Sequence, residues 1–309
     1  MKRTTLLSLS VAGLLGVIVL VSGEPRSEER TNPYVASIEE WRAGRIERLK
    51  RPTGWFSLVG LDWLTEGKTT VGSDPSNDIV YAALLAPSRL GTFEYSGREV
   101  VFSVEKGVQV THNGEAVTTI RMYADSDEDH ELTVLVHGSL NFYVIERSST
   151  FGIRAKDEKW AERVEFGGIP SYPVDERWKI EAKLVPHETP QVLSIIDVND
   201  MKASRPTPGT LVFEIESRTY ELTPIAAPGA EQLFIILGDE TNGMETYAAG
   251  RFLYADAPDE SGRVVLDFNK TYNPPCAFTD FATCPLPPRQ NHLQVRITAG
   301  EKAYGDSQH

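Results

Sequence analysis

The strongest constraint in this sequence is an apolar alternation with a period of two, which sets in near residue 69 and returns between turn-forming pairs as far as residue 297. Residues 92–95 and 100–104 read as strands on either side of Ser96-Gly97. Residues 109–111 and the stretch from Ala116 flank His112-Asn113-Gly114, where Asn and Gly suit the positive φ angles of a tight hairpin. Residues 132–136 and 141–145 flank Gly138-Ser139, and 151–154 extend the sheet. Only 158–164 breaks the rhythm, with a short helical pattern. Strands resume at 178–185, 192–198, 210–215, 219–222, 232–237, 246–253, 264–268 and 293–297. Many short strands separated by Gly and Pro predict sandwiches or barrels. Gly167, Gly168, Pro170 and Pro173 cannot sit in a ladder, so they mark the best internal boundary. The expected fold is therefore mainly β, with two antiparallel sandwich or barrel regions, 52–166 and 167–301.

One helix precedes them. Ser37 and Glu40 have the spacing of a capping box, and Ile38, Trp41, Ile46 and Leu49 recur at helical intervals among charged residues. An amphipathic helix over 37–51 follows, ended by Pro52, with its apolar stripe docked on the body. Upstream, Lys2 and Arg3, an apolar run over 6–21 and small residues at Ser22 and Gly23 read as a secretory signal cut after Gly23. The competing reading is an uncleaved anchor, because about 16 apolar residues is short for a bilayer but not excluded. Residues 24–36 form a polar spacer and 302–309 a tail.

Charge removes several partners. The chain carries 31 Lys and Arg against 44 Asp and Glu, a net −13, or −15 for a form without Lys2 and Arg3. A nucleic-acid partner needs basic surface, and an anionic membrane would repel this chain. No membrane span is expected in the mature form. A small molecule or a protein remains as the ligand class.

The segment TTVGSDPSNDIVY, then PSRLG, then THNGEAV resembles forkhead-associated domains, β-sandwiches that bind phosphothreonine. Ser73 stands where those domains have Arg after Gly, and Leu90-Gly91 replaces the expected His. Without that cationic clamp the resemblance implies a fold only.

A second resemblance is more specific. The strings GDETNGMETYAAGRFLYAD, VVLDFNKTYNPPCAFTDFATCPLPPRQNHL and ITAGE, with GWFSLVGLDWLTEG at 54–67 and FGIRAKD at 151–157, resemble domain-of-unknown-function family 1684 (DUF1684) from about Trp41 to Glu301. The resemblance implies identity and extent, and no reaction, substrate or cofactor.

Within those strings, alternation puts Asp267 and Asn269 on one strand face, and Tyr247 and Arg251 on one face of another. If the two strands are neighbours, Arg251 meets Asp267. Asp239 and Thr241 close the preceding strand, and Glu301 the last one. Two readings are open. One is a polar pocket formed with Tyr272, Asn273 and Asn291, in which Arg251 grips a carboxylate or phosphate. The other is a buried ion pair whose Asn side chains satisfy loop backbone.

Tyr272-Asn273-Pro274-Pro275 cannot continue as a central strand, and a cis peptide bond is a candidate feature of that turn. Cys276 and Cys284, the only cysteines, have seven residues between them. Export favours a local disulfide over free thiols or a two-sulfur metal site, since neither has an adjacent His. No Gly-x-Ser-x-Gly elbow, His-Glu-x-x-His, phosphate loop or dinucleotide fingerprint is present. His292 is a candidate base, with a surface histidine as the plainer reading. The acidic run from Asp125 to Glu131 lacks the glycine and spacing of a calcium loop. No metal or cofactor is implied. An exported binding or accessory protein with its pocket around DFN and YNPPCAF is the first expectation. The second is a hydrolase using Asp267, Asp239 or Glu301 as acid or base, with Arg251 or Asn269 stabilising charge. The third is an envelope protein whose loop docks on another chain.

Overall fold

The computed structural model describes residues 32–163 and 166–305. The expected leader and most of the spacer, residues 1–31, and the last four residues lie outside that range. No described helix is long and apolar enough to cross a membrane.

The first helix, α1, spans Pro33–Lys50. It begins four residues earlier than the capping-box spacing predicts. Pro33 suits a helix start, where its fixed φ fits and its missing N–H is not needed. Ser37 therefore lies one turn inside, and its Oγ donates to Tyr34 O at 2.7 Å instead of capping. Arg48 and Lys50 fall in the last turn, where cations complement the helix dipole. Ile38 and Leu49 are buried against the body, as the docked stripe requires.

The body is mainly β, built from largely antiparallel sheets. In the first half a five-stranded sheet runs Ile79–Val80, Gly67–Gly72, Gly91–Ser96, Glu99–Val104, Thr119–Met122. A six-stranded sheet runs Leu58–Trp63, Thr150–Asp157, Leu140–Arg147, Val134–His137, Val110–His112, Glu115–Val117. Both sheets feed one apolar core, in which Phe93, Phe102 and Phe142 meet edge to face or tilted, with Leu135 and Ile153 around them. Asn113 and Gly114 turn the 110–117 hairpin with φ of 52° and 84°.

In the second half a four-stranded sheet runs Arg218–Leu222, Lys202–Ile215, Lys179–Ile196, Arg263–Asp267. A smaller one joins Arg251–Asp256, Gln232–Asp239 and His292–Leu293. Leu211, Phe213, Leu237, Leu253, Leu266 and Phe268 fill the core beneath them. A third apolar cluster joins Leu58 to Leu193, Ile195, Ile236, Phe252 and Cys284.

Four expected strands come out differently. The segments 178–185 and 192–198 are one strand, Lys179–Ile196, whose register slips between Pro186 and Gln191. Pro186 and Pro190 remove ladder donors there, yet the chain continues without reversing. The strand expected at 246–253 starts only at Arg251, because the preceding residues form a turn with Gly243 and Gly250 at positive φ. The strand expected at 293–297 stops at Leu293, and a side chain takes up the backbone beyond it.

Candidate functional site

That side chain is Arg251, which has no exposed surface. Its Nη2 donates to Asp239 Oδ2 at 2.7 Å and to Ile297 O at 3.0 Å, and its Nη1 to Ala299 O and Glu301 O. Carbonyls of alternate residues on an extended segment all point one way. The guanidinium thus stands where a neighbouring strand would supply N–H groups. Asp239 Oδ1 accepts from Thr241 N, Thr241 Oγ1 and Ile297 N, and Thr241 Oγ1 lies 2.8 Å from Thr246 Oγ1. Both ions of the pair are dry and nearly saturated with partners, which is what makes a buried pair tolerable.

Arg251 does not meet Asp267, contrary to expectation. The 251–256 strand pairs with 232–239 and the 263–267 strand with 179–196, so the two never share a ladder. Tyr247 is buried, its carbonyl accepts from Asn242 Nδ2 at 3.0 Å, and burial raises the proton affinity of its hydroxyl. Asp267 Oδ1 instead accepts from Tyr34 Oη at 2.9 Å and from Asn269 N and Nδ2 at 3.2 Å. Asn269 lies in a 3-10 turn beyond the strand, where its side chain bonds both N and O of Asp175. Asn291 does the same for Thr223 N and O and adds Ile236 O.

Glu301 anchors α1. It binds Arg45 Nε and Nη2 and accepts from Asn273 N at 2.7 Å, while Arg45 Nη2 donates to Asn273 O at 2.9 Å. The same guanidinium lies 4.3 Å from the centre of the Tyr272 ring. Burial and the neighbouring Tyr254 raise the proton affinity of Tyr272, against the pull of Arg45.

Between α1 and this platform opens a cleft of about 1030 Å³. Trp41, Phe234, Phe252, Tyr254 and Tyr272 give it an aromatic wall, in which Tyr254 and Tyr272 stack with planes 13° apart and Phe234 lies 5.0 Å from both Phe252 and Tyr254. Arg48, Arg51, Lys179 and Lys270 supply basic groups, and none of them forms an ion pair among the described residues. Of the residues singled out in the sequence, Asp267, Tyr272 and Asn273 line this cleft. Asp239, Thr241, Tyr247, Arg251, Asn269, Asn291 and Glu301 stand behind it or apart from it. The residues that sequence reasoning passed over are Tyr34, Trp41, Arg45, Arg48, Phe234 and Tyr254. A readable signal existed for the helical ones, because positions 34, 41, 45 and 48 repeat at intervals of seven, four and three on one helix face.

Cys276 and Cys284 form a disulfide with Cα atoms 6.1 Å apart. No described peptide bond is cis, so the Pro274-Pro275 turn is made with trans bonds. Replacing both cysteines by Ser is expected to lower stability by about 2.5 kcal/mol on the loop-closure model. Urea unfolding of the double variant beside oxidised and reduced wild type measures it, and equal midpoints for reduced and oxidised wild type would exclude this contribution. His292 is exposed, with Nε2 3.3 Å from Pro287 O. Asp127 Oδ1 caps its own turn, accepting from Asp129 N and from His130 N and lying 3.0 Å from His130 Nδ1. No group of three or more potential metal ligands occurs among the described residues.

Residues 164–302 match the family described as Protein of unknown function (DUF1684). The chain belongs to the DUF1684 family. The matched stretch holds the Asp239–Arg251 network, the Glu301 anchor, the disulfide and most of the cleft's aromatic wall. The strings at 54–67 and 151–157 lie outside it. Among solved structures, this DUF1684 member is 31% identical to an uncharacterised protein of Haloarcula marismortui solved by NMR, over 46% of this chain and 79% of that one, with a TM-score of 0.38. It is also similar at 13% identity to the FhaA FHA domain complexed with the intracellular domain of Rv3910, over 30% of this chain and 96% of that one, with a TM-score of 0.22. An FHA domain from an analysis of phosphothreonine-dependent interactions matches at the same identity and score. No curated protein matches the chain.

Proposed function

We propose that this DUF1684 protein is an exported binding protein whose ligand is a small anion with a planar or apolar body, held in the cleft between α1 and the Tyr254–Tyr272 wall. The observation that carries this reading is the coincidence of aromatic rings and uncompensated basic groups in one concavity of a chain whose net charge is −13. Rings supply stacking area for a flat ligand, and Arg48, Arg51, Lys179 and Lys270 supply the opposite charge. Tyr254 is 50% exposed, which leaves its face open to a ligand. The leader pattern in the first 23 residues and the disulfide support export.

Binding is favoured over hydrolysis by the state of the carboxylates. Asp239 is dry and fully engaged, and Glu301 is clamped by Arg45 and Asn273 N. Of the three candidate acids only Asp267 reaches the cleft, where the other carboxylate is exposed Asp256, which accepts from Gln232 Nε2 at 3.3 Å.

A thermal-shift screen of aromatic carboxylates, aromatic phosphates and neutral sugars tests the reading. An aromatic anion at a hundred times its Kd is expected to stabilise by about 2.7 kcal/mol. Tyr254→Ala, and Arg48→Ala combined with Lys270→Ala, are each expected to weaken binding by about tenfold or more, the loss of one stacking or charge-assisted contact. A hit that both variants bind as well as wild type would remove the ligand from this cleft, and turnover of the hit would make the protein an enzyme.

A further inference from the structure

The FGIRAKD string has no part in that cleft, yet it carries a cation with an unusual environment. Arg154, in the Thr150–Asp157 strand, is 4% exposed and forms no ion pair among the described residues. Its Nη2 donates to Thr283 Oγ1 at 3.2 Å, inside the loop closed by the disulfide, and the guanidinium also donates to the Tyr143 hydroxyl. Its buried Nε has no acceptor. Its cross-strand neighbour Tyr143 is a phenol and brings no charge at neutral pH. The Trp55 ring lies 5.8 Å from the guanidinium carbon.

The acids nearby are already engaged. Asp125 is held by Arg147 at 2.8 Å, and Glu146 by Arg98 at 2.8 Å. Asp197 caps its own turn, accepting from Asn199 N and Met201 N. Burying a guanidinium without a counter-ion is costly, and desolvation pushes the proton affinity of Arg154 below its ordinary value. The side chain lines a second cleft of about 710 Å³, on the other side of Trp55 and Phe234 from the first, and exposed Arg205 on the same wall also lacks an acidic partner among the described residues.

We propose that Arg154 anchors a second ligand site, which takes a small oxyanion, the phosphate or carboxylate group of a metabolite, with Arg205 assisting at the rim. The guanidinium's fork geometry suits two parallel bonds to such a group. Trp55 beside it and Thr283 beneath it hold the fork in place. The anion supplies the charge that the fold leaves out, so binding and stability are coupled at this position.

The experiment is calorimetric titration of the full chain with inorganic phosphate and, separately, with acetate in low-salt buffer free of both, alongside thermal melts. Wild type is expected to bind at least one of the two, and the stronger one identifies the group. Arg154→Met is expected to weaken that binding by at least about tenfold, since charge-assisted bonds are lost. Without anion it is expected to melt no lower than wild type, because an uncompensated buried charge has been replaced by an apolar side chain of similar length. Arg205→Ala, on the surface, is expected to weaken binding by about threefold, in line with a partly exposed charge. Arg177→Ala, an exposed arginine outside both clefts, is expected to leave it unchanged, which sets the loss at Arg154 apart from a general loss of positive charge. Failure of wild type to bind either anion overturns the proposal, as does equal affinity in Arg154→Met. Should Arg154→Met not fold, an unchanged affinity in Arg205→Ala overturns it.

Discussion

Arg251→Ala is expected to destabilise the protein by about 3–5 kcal/mol, the range found when one partner of a buried ion pair is removed. The substitution leaves Asp239 charged in a dry site and strips the carbonyls of Ile297, Ala299 and Glu301 of their donor. Arg251→Lys should recover part of the loss, since an ammonium reaches some of those acceptors but lacks the planar fork. Arg177→Ala is the contrast. Its pair with Asp175 lies at the surface, with the Arg side chain 84% exposed, so little change is expected. Urea denaturation of the three variants measures the differences. An Arg251→Ala midpoint equal to that of Arg177→Ala would show that the guanidinium does not hold the last segment in place.

Gly300→Ala is expected to cost about 3 kcal/mol or more, from two independent causes. Gly300 has φ of 76°, a region that costs an L residue about 1–2 kcal/mol. A methyl group there would also collide with Thr271 Oγ1 and Thr271 O, and sit 3.0 Å from Phe268 O. Overpacking of a filled interior adds about 1–3 kcal/mol. Gly97→Ala isolates the first cause, because Gly97 has φ of 62° and open space around it. The difference between the two unfolding free energies is the collision. Equal costs would mean that the 271 and 300 backbones separate easily.

Much of the fold could be read from residue order alone because a sheet writes its two faces into the chain at every second position. The Asn113-Gly114 hairpin and the strands around Phe93 and Phe102 are local statements of that kind. The merging of two strands into Lys179–Ile196 was not legible. Pro186 and Pro190 announce an interrupted ladder, and an interruption reads the same whether the chain turns back or runs on. The partner of Arg251 was hidden for a different reason. Alternation tells which residues share a face, while the identity of the adjacent strand is a tertiary fact, and Asp239 rather than Asp267 came to lie opposite. The aromatic wall was missed because Phe234 and Tyr254 belong to strands read only as core, and Trp41 to a helix read only as a docking stripe.

The attachment of Arg45 to Glu301 spans 256 positions of the chain. During synthesis the helix leaves the ribosome long before the carboxylate that binds it. Contacts of such long range form late and slow the approach to the native state. Until residue 301 is available, Arg45 lacks its carboxylate, and the helix holds to the body through its other contacts, among them Tyr34 to Asp267 and Arg42 to Tyr172 O. The helix side of the aromatic cleft is therefore completed only after the strands that carry Phe234 and Tyr254 and the segment that carries Tyr272.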